Sequence, residues 1–135
     1  MIQRVQTLWL LAASICGFAT LKLPFYVGSV GTAPAESFSA TTNTLLMILS
    51  VAVAIVSLVA IFLYNNRPLQ QRIGLAGFAI SVLNIILYFV FTKKYDVGAI
   101  ALTAVFSFAI PALLLMAILA IRKDEKLVKS VDRLR

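Results

Sequence analysis

At 135 residues the chain has room for one domain, and its 61% hydrophobic and 13% charged content, with a mean hydropathy of +1.00, departs from the roughly 45–50% apolar, 25% charged make-up of a soluble domain. Its net charge is +7, but the cations gather at the ends of apolar runs and after Ile121, which marks membrane flanks and excludes nucleic acid as an expected partner. The single cysteine, Cys16, excludes an intrachain disulfide, and the lack of any histidine excludes His-ligated haem, zinc or copper and every Ser-His or Cys-His nucleophile.

A bilayer core about 30 Å thick requires about 20 apolar residues of helix, and four segments meet or approach that length. The first, 5–21, is short unless Arg4 and Lys22 snorkel while Trp9, Phe25 and Tyr26 settle near the interfaces. Arg4, the apolar run and the small Gly17 and Ala19 also resemble a cleavable signal peptide, yet the segment is expected to be retained as a span. Ile15 before Cys16 argues against lipid attachment at the cysteine. A longer loop, 22–43, carries Pro24, Phe25, Tyr26, Pro34 and Phe38 among Gly, Ser, Thr and Ala; it reads either as a solvated connection or as a lid or docking surface.

The second span, 44–64, follows Ser39, Thr41, Thr42 and Asn43, each able to cap its first turn. The third, 73–92, belongs to a helix that starts near Pro68, a residue suited to a first turn, and ends at Lys93 and Lys94. The fourth, 97–121, is expected to begin at Asp96 as N-cap, to kink at Pro111, and to continue without a breaker into residues 122–135. The expected fold is therefore all-α: an integral membrane four-helix bundle in residues 1–121 with a C-terminal amphipathic extension in 122–135. Short links make antiparallel neighbours.

Orientation follows from Lys and Arg. With both termini cytoplasmic, that side holds Arg4, Arg67, Arg72, Arg122, Lys123, Lys126, Lys129, Arg133 and Arg135, whereas the opposite side holds only Lys22, Lys93 and Lys94.

No Asp, Glu, Lys, Arg or His falls inside the four spans, which argues against a proton relay or coupled ion site in one copy of the chain. Small and polar residues recur there at helical spacing instead. Gly74, Gly77, Ser81, Asn84 and Tyr88 share a face of the third span; Asn43, Ser50, Ser57 and Tyr64 trace one on the second; Thr7, Ser14 and Gly17 one on the first; Ala101, Ala104, Phe108 and Ala112 one on the fourth. Such stripes are packing seams in lipid, where helices associate through small residues and interhelical hydrogen bonds. The alternative is a polar pocket around Asn84, Ser57 and Ser107. No catalytic, cofactor-binding or metal-ligating set emerges; Asp124, Glu125 and Asp132 stand among Lys and Arg, as solvated ion pairs do.

After Ile121, Leu127, Val128, Val131 and Leu134 align on one helical face with Lys123, Lys126, Lys129 and Arg133 around it. A basic amphipathic helix beside a membrane meets lipid or a partner, and the tail's modest net charge makes a protein partner reading Leu127, Val131 and Leu134 the stronger expectation.

The opening ten residues, Met1-Ile2-Gln3-Arg4-Val5-Gln6-Thr7-Leu8-Trp9-Leu10, and the closing stretch from Lys123 to Arg135 resemble the bacterial membrane family catalogued as domain of unknown function 4293. The resemblance implies a four-span bacterial membrane protein, for which the inner membrane is the expected location, and brings no activity, cofactor or catalytic residue. The leading expectation is a small non-enzymatic membrane protein, an accessory subunit or an anchor for a cytoplasmic partner. Its rival is small-molecule or ion transport or binding by a homo-oligomer with a polar intramembrane pocket.

Overall fold

The computed structural model describes residues 2–134. Met1 and Arg135, the latter counted above among the basic tail residues, lie outside the described residues, as does the side chain of Arg4. Four helices, α1 (Ile2–Ala19), α2 (Thr44–Phe62), α3 (Arg67–Thr92) and α4 (Val105–Arg133), are joined by a small sheet of β1 (Tyr26–Ser29), β2 (Glu36–Phe38) and β3 (Val97–Ile100). Each helix packs on its sequence neighbours, and α1 also packs on α4. The four therefore form an antiparallel ring with both chain ends and the α2–α3 turn at one end, the tail end, and the sheet at the other. Three helical segments, Thr44–Phe62, Arg67–Thr92 and Leu102–Arg133, are long and apolar enough to cross a membrane; Val5–Ala19 is apolar but shorter.

Local signals explain the boundaries. The Asn43 Oδ1 accepts the Leu45 N–H at 3.0 Å, satisfying one of the orphan donors that start α2. At the other end the Gln70 Nε2 donates to the Ala60 carbonyl at 2.9 Å, so α3 reaches across the turn to close α2. Pro68 occupies the first turn of α3, where its missing N–H costs nothing. Helix α4 runs unbroken through Pro111 into the tail as far as Arg133.

The all-α expectation is corrected by the sheet. Residues 97–100 are strand β3, not the start of the fourth span, and α4 begins only at Val105 after a 3₁₀ turn at Leu102–Ala104. Asp96 caps no helix: its Oδ2 accepts the Gly31 N–H at 2.8 Å, fixing the β1–β2 turn where Gly31 sits at φ +59, a conformation that suits glycine. The strand order is β2-β1-β3, all antiparallel, with Tyr26 opposite both Phe38 and Ile100 and with Gly28 opposite Gly98. The glycine pair is required because the Tyr26 ring lies over it: a Cβ on Gly98 would stand 2.6 Å from Tyr26 Cε1 and from the Val27 carbonyl oxygen.

The 22–43 segment is more than a solvated connection. Phe25, Phe38 and Ala40 are buried with Leu46, Tyr88 and Ala104. Phe25 stacks on Tyr88 with centroids 4.2 Å apart, Phe38 meets the same ring edge-on at 6.0 Å, and the Thr103 hydroxyl donates to the Pro24 carbonyl.

Candidate functional site

The buried face of α3 is Gln70, Gly74, Gly77, Ser81, Asn84, Tyr88 and Thr92, so the stripe read from the sequence faces inward and extends one step at each end. Its glycines are close-approach points. A Cβ on Gly77 would lie 3.1 Å from Val56 Cγ1 and 3.6 Å from Leu114 Cδ1; one on Gly74 would lie 3.2 Å from Ile118. On α1, Gly17 backs onto Ala54, whose Cβ would be 2.9 Å from an added one, and the Ser14 hydroxyl donates to the Ala54 carbonyl at 3.1 Å.

One expected face is largely kept and one is rotated. On α1, Ser14 and Gly17 are buried as expected, together with Gln6, Leu10 and Ala13, and of the expected stripe only Thr7 is exposed; on α4 the buried residues are Ser107, Ile110, Leu114, Ala117, Ile118, Ile121 and Asp124, with Phe108 and Ala112 exposed, although Ala104 just before the helix is buried. Apolar side chains gain nothing by leaving lipid, so both faces of α4 read alike and the seam must be found from tertiary packing.

Of the polar groups read as a pocket, Asn84, Ser57 and Ser107 are all buried, but Asn84 meets a different partner. Its Nδ2 donates to Ser50 Oγ at 2.9 Å, whereas Ser57, seven residues or about 10 Å of helix rise away, returns its hydroxyl to the Val53 carbonyl at 2.8 Å. Ser81 likewise donates to Phe78 O on its own helix at 2.7 Å. The Ser50–Asn84 pairing was available in the sequence: the two residues, 34 apart, stand equally far on either side of Arg67, where a short turn folds α3 back on α2. Asn84 Oδ1 and the Tyr88 hydroxyl are buried without a hydrogen-bond partner, next to Ser50 and beneath the rings of Phe25 and Phe38.

At the tail end the acids that read as solvated ion pairs form a clamp. Asp124 is only 7% exposed and lies 3.3 Å from the Arg67 guanidinium. Glu125 accepts from Gln71 Nε2 at 2.7 Å and pairs with Lys129 at 2.8 Å; Lys129 first, then Gln71, holds its carboxyl below the ordinary glutamate value of 4.5. Gln6 adds a bond from Nε2 to the Ala120 carbonyl at 3.3 Å. The start of α3 thereby grips the first turn of the tail. Beyond the clamp, Leu127, Val131 and Leu134 are 44%, 60% and 89% exposed on one side of a continuous helix. Among the described residues no cluster of acidic or cysteine side chains could hold a metal ion.

Neither the curated proteins nor the solved structures yield a match to this chain. The family model for a domain of unknown function (DUF4293) matches residues 2–134, nearly the whole chain, and the protein belongs to that family.

Proposed function

We propose that the protein crosses the bacterial inner membrane four times, keeps both termini in the cytoplasm, and works without catalysis as an accessory subunit or anchor for a cytoplasmic protein held by the end of α4. The observation that supports this reading best is the exposed face of Leu127, Val131 and Leu134 on a helix rooted by Arg67–Asp124 and Gln71–Glu125. Anchors spaced by four and three residues suit insertion into a groove, and a helix whose base is fixed loses less freedom on binding. The basic excess of the tail end supports its cytoplasmic placement. Although Val5–Ala19 is short, the packing of α1 against both α2 and α4 supports counting it as the fourth span.

Two experiments test this. Single-cysteine variants in a Cys16→Ala background, treated with an impermeant thiol reagent, should label Gly31→Cys from outside and Asn66→Cys only after the inner face is opened; the reverse pattern overturns the orientation. Replacing Leu127, Val131 and Leu134 with Ser should leave insertion and fold intact and abolish copurification of the partner, whereas unchanged copurification removes the anchor reading. The unpartnered Asn84 Oδ1 and Tyr88 hydroxyl favour a second reading, a homo-oligomer that holds a small polar guest beneath the aromatic cap. That reading requires a molecule retained by purified protein and lost in Asn84→Leu.

A further inference from the structure

Between α1 and α4 at the tail end runs a groove of about 410 Å³ lined by Val5, Trp9, Met116, Leu119, Ala120 and Lys123. Five of its six residues are apolar, and the sixth, Lys123, follows the end of the apolar part of α4. From Met116 to Lys123 the groove follows α4 for about 10 Å, the depth of a headgroup and the upper part of an acyl chain. The charge around it is lopsided. The two acids next to Lys123 in sequence are both turned toward α3, Asp124 onto Arg67 and Glu125 onto Gln71 and its own Lys129. No acidic side chain lines the groove, and Lys123 has no ion-pair partner among the described residues.

A second groove of about 450 Å³, on α2 beside the loop residues Leu21 and Thr41, is lined by Met47, Ile48, Val51 and Ile55 with three further uncharged residues. It accommodates an acyl chain equally well and offers no cation. The pair thus separates what lipid packing alone requires from what charge adds.

We infer that the α1–α4 groove is a binding site for one anionic phospholipid, its acyl chain against Trp9, Met116 and Leu119 and its phosphate on Lys123. Snorkelling places the Lys123 ammonium at headgroup level, and the Trp9 indole suits the same boundary. The inference rests on the four-span reading, which sets α1 in the bilayer beside α4.

Trp9 is the single tryptophan of the chain, so its fluorescence reports this groove alone. The full chain is reconstituted into mixed phosphatidylglycerol and phosphatidylcholine bilayers in which one or the other lipid carries brominated acyl chains. Brominated phosphatidylglycerol should compete for the site about fivefold better than brominated phosphatidylcholine, the worth of one lysine beside anionic lipid. Lys123→Gln should reduce that preference to near unity. Lys126→Gln, which removes the same charge from a patch shared with Lys129, Ser130 and Arg133, should preserve it. Equal quenching by both lipids would mean that the groove has no preference for anionic lipid, and equal loss of preference in both variants would mean diffuse surface charge; either result overturns the site. No quenching by either lipid would instead place Trp9 outside the bilayer and overturn the four-span reading itself.

Discussion

The two ends of the bundle are closed by different physics. At the sheet end, aromatic rings and backbone hydrogen bonds join the loops: Phe25 and Phe38 pack on Tyr88, and β1 pairs with strands from both connections. At the tail end, four side-chain links join helices directly: Arg67 to Asp124, Gln71 to Glu125, Gln6 to the Ala120 carbonyl, and Gln70 to the Ala60 carbonyl. In the proposed four-span arrangement, burying a ring stabilises the loops, whose alternative is water, and stabilises little between helices whose alternative is lipid. The first closure is apolar and extensive, the second polar and confined to a few groups. The difference teaches that, in the proposed arrangement, the ordinary hydrophobic effect is recovered where the connecting loops leave lipid.

The comparison is broken most forcefully at the sheet end. Tyr88→Ala empties a fully buried site between two rings and should cost about 3–5 kcal/mol, read as a large fall in thermal unfolding temperature in detergent. Phe25→Ala should fall in the same range, and a cost near zero for both would show that the cap does not hold the bundle. At the tail end, Arg67→Ala leaves Asp124 largely buried without its cation, an expected loss of about 1–3 kcal/mol. Asp124→Asn in that background should restore part of the loss, since an amide tolerates the site better than a lone carboxylate; failure to restore it would deny the pairing.

Between the two ends, Gly77→Leu should destabilise by about 1–3 kcal/mol by forcing α3 away from Val56 and Leu114. Asn84→Leu should cost less, because it removes one hydrogen bond, to Ser50, worth about 0.6 to 2 kcal/mol in a membrane. The smallest effect belongs to the exposed Glu125–Lys129 pair. Its carboxyl is held below the ordinary value in the folded protein, so its contribution is present above the unfolded glutamate value and fades as pH falls through the lower folded one. Lys129→Ala should raise the Glu125 titration midpoint toward 4.5 by NMR while the melting curve scarcely moves.

How much of this was legible depended on whether a residue's environment is set locally. Gly74, Gly77, Ser81, Asn84 and Tyr88 declared the inner face of α3 because small and polar groups avoid lipid and repeat with the helical period. Val97 to Ile100 did not declare a strand: four apolar residues next to an apolar helix have no period of their own, and pairing with β1 decided their conformation. Asp124 looked solvated among lysines because its partner, Arg67, lies at the far start of the preceding helix. Phe108 and Ala112 were placed on the wrong face because lipid-facing and bundle-facing positions of α4 are nearly equally apolar. The Ser57 hydroxyl, read as lining a pocket, serves its own helix, an option open to any serine in a helix interior.

The sheet also carries a consequence for assembly. Strands β1 and β2 lie between α1 and α2, whereas β3 lies between α3 and α4, so the first helical hairpin carries a two-stranded ribbon whose β1 edge stays open until the second hairpin delivers its strand. Completion of the sheet is a latch that cannot engage before α3 has carried β3 back to β1. A chain severed in the α2–α3 turn would thus divide into a receptor with an open edge and a donor with one strand, and their rejoining would report, strand by strand, that the bundle had closed.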